Sequence, residues 1–166
     1  MNELEVKEKL QDWLINFVEK SNPLLDNWPP CPYAKQARLN NKIHIVFDDP
    51  LLISNYISYL DSYDVVVLCF DHTKFSASQI TQFTKHLNGV LMFKDFVVLE
   101  DHPDAEEFVN GVKMNFGECG LMVLQKLSKL NEAADQLKKK GYYKSWSEEN
   151  LDDIVNWRYI SNFDNS

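Results

Sequence analysis

Apolar residues near the start of the chain recur at helical spacing. Leu10, Trp13, Leu14, Phe17 and Val18 form one stripe, which predicts an amphipathic helix over Glu3–Lys20. Ser21-Asn22-Pro23 ends it, because the residue before a proline disfavours the α region. The next stretch, Pro23–Arg38, has no period. Its Asn27-Trp28-Pro29-Pro30-Cys31-Pro32-Tyr33 segment is stiffened by three prolines and reads as an extended loop.

Lys42–Phe47 alternates and predicts a strand with Ile43, Ile45 and Phe47 on one face. Asp48-Asp49-Pro50 then opens a helix whose apolar side is Ile53, Tyr56, Ile57 and Leu60. Asp64–Phe70 is a continuous apolar run rich in β-branched residues, the pattern of a strand buried on both faces. Ser76 and Gln79 have capping-box spacing ahead of a helix with Ile80, Phe83, Leu87 and Leu91 on its core side. Asp95–Glu100 predicts a third strand, and Gly111–Phe116 a short fourth one. The longest helix is predicted from about Gly117 to Lys140, along Val123, Leu127, Leu130, Ala134 and Leu137. Lys138-Lys139-Lys140-Gly141 closes it, with cations on the helix dipole and glycine as the left-handed cap. Ser147 caps a last helix carrying Leu151, Ile154 and Val155.

Alternating strands and helices predict a layered α/β fold with a small three- to four-stranded, mostly parallel sheet and flanking helices. The expectation is a single domain over residues 1–166 with a frayed tail at about 162–166. Composition agrees: 45% hydrophobic and 13% aromatic residues suffice for a core without disulfides or structural metal.

Charge narrows the partners. With 25 acidic against 17 basic side chains the net charge is −8, a field that repels nucleic acid. Three widely spaced cysteines form neither a disulfide framework nor a zinc signature and suit a reducing compartment. The charged segment Met1–Lys9 does not resemble a signal peptide, and no apolar run is long enough to cross a membrane. A cytoplasmic protein with neither a nucleic-acid nor a membrane partner is expected, with a small molecule or another protein as its ligand.

No glycine-rich phosphate loop, paired-histidine zinc motif or nucleophile elbow occurs, so a site must be assembled from dispersed residues. Two loop segments carry suitable chemistry. Cys31, between prolines and close to Lys35 and Arg38, is a candidate nucleophile or metal ligand; alternatively it is a small core residue. His102, flanked by Asp101 and Asp104 just past the third strand, is a candidate base or metal ligand, or else a locally bonded loop histidine. His72, after the central strand, reaches the same sheet edge if the crossovers are parallel, and joins the candidate metal ligands. Cys119 falls near the expected start of the long helix, where the dipole favours a thiolate.

These segments are also where the chain resembles a bacterial family known as a domain of unknown function. Its members pair a tryptophan-bearing first helix with a Leu-Cys-Pro-Phe-Ala segment, a His-Pro pair after a strand, and a leucine-rich helix. The corresponding residues are Trp13, Cys31-Pro32-Tyr33-Ala34, His102-Pro103-Asp104 and Leu121–Leu137. The family's Asn-Arg-Ser-Pro-type segment is replaced by Met114-Asn115-Phe116-Gly117-Glu118. The resemblance implies no activity; it marks the same two loops.

Two functions compete. One is a small-molecule enzyme or metal-assisted catalyst, with catalytic Cys31, His102 and Asp104 and substrate contacts from Arg38, Tyr33 and Asn115; the sequence leaves its cofactor unknown. The other is a non-catalytic binding or accessory module presenting Trp28, Tyr33 and Pro29-Pro30 as an aromatic surface.

Overall fold

The structure is a computed structural model and describes residues 1–159. The expected fraying of the tail at 162–166 lies outside the described residues. Helix α1 spans Glu3–Trp13, capped by the Asn2 side chain, and runs on through a π turn at Leu14–Val18. A short helix α2, Ala34–Leu39, interrupts the segment predicted to be irregular. Strand β1 (Ile43–Phe47) leads through a 3-10 helix at Pro50–Asp61 to β2 (Val65–Phe70), then α3 (Ala77–Leu91) and β3 (Phe96–Asp101). A small hairpin follows, β4 (Phe108–Val109) and β5 (Val112–Lys113). Next come β6 (Gly120–Lys126), α4 (Leu127–Lys139) and α5 (Glu148–Leu151) with a π turn over Asp152–Asn156.

The main sheet has the order β1-β2-β6-β3. β1 and β2 pair in parallel, but β6 lies antiparallel between β2 and β3. The sheet is therefore mixed and not mostly parallel. The correction traces to Gly120–Lys126, which was expected inside the long helix. Consecutive residues Gly120, Leu121 and Met122 are all buried there, which needs a strand covered on both faces. The expected fourth strand, Gly111–Phe116, shrinks to the two residues of β5. α4 begins only where a cap is available. Lys126 has no capping side chain, and Asp95 substitutes by accepting from the Ser128 N–H at 2.7 Å and the Ser128 hydroxyl at 2.6 Å. At the other end Gly141, at φ 85°, supplies the expected left-handed cap.

Each face of the sheet has its own cover. Val66, Leu68, Phe70, Met122, Leu124 and Val98 pack under the 3-10 helix and α3 with Ile53, Leu60 and Ile80. On the opposite face Val67, Cys69 and Leu121 meet Val6 and Leu10 of α1, while Val97 meets Leu127 of α4. Cys119, expected at a helix start, is instead buried beside Cys69, and this contact with the desolvation pushes the Cys69 thiol upward. Among the described residues no helix is long and apolar enough to cross a membrane.

Candidate functional site

The face covered by α1 is not filled to its end. A cavity of about 630 Å³ remains, within the range of small-molecule sites. Val65 and Val67 of β2 with Leu121 and Val123 of β6 form an apolar floor. Leu10, Trp13, Leu14 and Val18 form a wall, and Cys31, Tyr33, Ala34 and Ala37 a rim. Asp101, His102, Ala105 and Asn115 border the cavity where β3 ends. The structure thus brings Cys31, Tyr33, Asn115 and His102 to one space, and leaves Arg38, Asp104 and His72 outside its lining.

Cys31 is exposed and contributes to the cavity lining. Its own N–H donates to the Val18 carbonyl at 3.0 Å, tying the proline-rich loop to the end of the first helix. Enclosing protein desolvates the sulfur and pushes the thiol up. Backbone N–H groups of Tyr33 and Ala34 donate to it and oppose that shift, and the Glu19 charge adds to it. Desolvation prevails, so the resting group is a thiol and not a preformed thiolate.

His102 is only 2% exposed, and both ring nitrogens are engaged. Nε2 lies 2.7 Å from the Phe75 carbonyl, which fixes it as the protonated nitrogen. Nδ1 accepts the Asp104 backbone N–H at 3.0 Å. The ring is a clasp between the β2–α3 connection and the loop after β3, with no free nitrogen for a base or a ligand. Asp104 orients it through the main chain; its carboxylate is 4.0 Å from Nδ1 and its side chain 74% exposed. His72 does approach, with its ring edge-on to His102 at 5.8 Å between centroids. Among the described residues, however, no three His, Cys, Asp or Glu side chains gather as a metal site.

Arg38 is committed elsewhere. Its guanidinium forms a two-pronged pair with Glu19 at 2.6 and 2.9 Å, bracing α2 on the first helix. Asn115 knots the loop after β3. Its Nδ2 donates to Asp101 Oδ1 at 2.8 Å and to the Ala105 carbonyl at 3.1 Å, while its Oδ1 accepts the Glu107 N–H at 2.7 Å. Trp28 is half-buried, and among the described residues no ring contact joins it to Tyr33. It packs edge-on against Tyr142, whose hydroxyl donates to the Pro30 carbonyl at 2.6 Å.

Three features of the cavity escaped sequence reasoning. The first-helix stripe was read as core, although Trp13 and Leu14 serve the cavity wall. The floor residues of β6 were hidden by the helical assignment. Asp101 was read as a flank of His102, whereas it borders the cavity itself and accepts the Phe116 N–H at 2.9 Å. Strand alternation could have revealed Asp101, since its register places it on the face of Leu99 and Leu121.

No family model, curated protein or solved structure matches the chain.

Proposed function

We propose that this domain binds a small organic molecule in the cavity between the first helix and the sheet, with the Cys31 sulfur as the group there able to bond a ligand, as nucleophile or metal ligand. The observation that carries the reading is one space of about 630 Å³ with an apolar floor and a cysteine on its rim. The Cys-Pro-Tyr-Ala and His-Pro segments, distant in sequence, both contribute to its lining through Cys31, Tyr33, Ala34 and His102. His102 serves this site by holding the loop in place, and Asn115 by fixing Asp101. The aromatic-surface alternative is weaker, because Trp28 is turned onto Tyr142. The acidic balance and unpaired cysteines fit a cytoplasmic protein whose partner is not a nucleic acid.

The test is ligand-observed NMR with a chemically mixed fragment set. Binding fragments are expected to lose their saturation transfer on Ala37→Trp, which projects an indole from the rim into the cavity, while the variant keeps its circular dichroism. Fragments that bind wild type and variant alike would place the site elsewhere.

A further inference from the structure

The cavity has a sign. Its lining holds four acidic side chains, Asp64, Glu100, Asp101 and Glu107, of which Asp101 is half-buried and the other three are exposed. Among the described residues no lysine or arginine borders it. Where Arg38 would have supplied a positive charge, Glu19 takes it. Lys113, whose charge reaches Asp101, is paired with Glu106 at 3.4 Å.

The carboxylates at the β3 end are held in an environment that disfavours their charge. Asp101 is desolvated, and only neutral donors, the Phe116 N–H and the Asn115 amide, contact its oxygens. Glu107 is an exposed residue, but partial desolvation of its carboxyl still raises it, and the Asp101 and Asp153 charges push it further. Among the described residues the Glu107 carboxylate has no hydrogen bond or ion pair. An incoming cation relieves this repulsion, while an incoming anion adds to it.

A separate feature of the lining has the same preference. Trp13 and Tyr33 bring aromatic rings to the cavity, and indole and phenol faces attract organic cations. Trp13 is held by Phe17, stacked at 5.8 Å, and by Phe116 at 5.3 Å, so its ring is placed before a ligand arrives. Apart from Gln125, beside Val65, the floor is valine and leucine. It suits a hydrocarbon body.

We infer that the ligand of this cavity is an organic cation with an apolar body, an alkyl- or arylalkylammonium, its charge near Asp101 and Glu107 and its hydrocarbon over Val67 and Val123. The inference rests on the small-molecule reading above and adds the ligand class. Three probes of one shape test it: 4-phenylbutylammonium, 4-phenylbutanol and 4-phenylbutyrate, titrated into the full chain by isothermal calorimetry. The ammonium is expected to bind the wild-type protein about tenfold more tightly than the alcohol, and the carboxylate most weakly. Glu107→Gln should narrow the ammonium–alcohol gap, and Ala37→Trp should abolish binding of both. The wild-type comparison needs no variant, so the inference stays testable if a substitution unfolds the chain. Equal binding of ammonium and alcohol, or tighter binding of the carboxylate, lost on Ala37→Trp, overturns the cation preference and leaves the cavity reading intact. Ammonium binding that Ala37→Trp leaves unchanged overturns both.

Discussion

The carboxamide of Asn88 on α3 holds both backbone polar groups of Val98. Its Nδ2 donates to the Val98 carbonyl at 2.9 Å, and its Oδ1 accepts the Val98 N–H at 2.8 Å. β3 is an edge strand, and the side chain stands in for the neighbour it lacks. Both residues are buried, so no water replaces the amide. Asn88→Ala should cost about 2–4 kcal/mol by orphaning two backbone groups. A denaturation midpoint within error of wild type would contradict this role.

Gly120 lies directly across from Phe70 in the β2–β6 pairing, and the Phe70 ring occupies the space where a Cβ would project. Phe70 is buried and cannot simply swing aside. Gly120→Ala should destabilise by about 1–3 kcal/mol through overpacking. Thermal unfolding measures it, and an unshifted midpoint would show that the ring moves freely.

The Tyr56 hydroxyl donates to Asp48 at 2.6 Å, joining the 3-10 helix to the end of β1. That bond lowers the Asp48 pKa and raises the Tyr56 pKa to about 12. For Tyr56 the folded value exceeds the unfolded one. Its stability contribution is therefore complete below the ordinary phenol range and is lost as pH rises through about 12. For Asp48 the contribution is present above the ordinary carboxylate range and is lost as pH falls through its lowered folded pKa. Tyr56→Phe should cost about 1 kcal/mol at neutral pH. Urea unfolding at several pH values should show the difference shrinking at both extremes; a constant difference would refute the linkage.

Much of the architecture was legible where an element's own residues carry the pattern. The stripe on the first helix, the capping box at Ser76 and Gln79, and the Val65–Phe70 run all occur as expected. Reading failed at β6 because Val123, Leu127 and Leu130 satisfy helical spacing across a strand–helix junction. What separates the two elements is Asp95, a cap distant in sequence that no local pattern contains. Cys31 and His102 could be selected from residue chemistry and loop position. That His102 is spent on Phe75 and Asp104, and Arg38 on Glu19, depends on contacts visible only after folding.

Thiol chemistry distinguishes the three cysteines. Cys69 and Cys119 are buried, and Cys31 alone is exposed. Alkylation of the native protein should modify one cysteine, Cys31, slowly at neutral pH because desolvation keeps it protonated, and faster as pH rises. The other two should react only on unfolding. Mass spectrometry of the alkylated protein checks this; rapid neutral labelling of Cys31 would mean that a thiolate is already formed.

A crystal structure of the protein soaked with 4-phenylbutylammonium decides whether the cavity holds such a ligand. Electron density is expected over Val67 and Val123, with the hydrocarbon against Trp13 and the nitrogen toward Asp101 and Glu107. A collapsed cavity, with the floor valines packed directly against Ala34 and Ala37 and the probe bound only elsewhere, would contradict it.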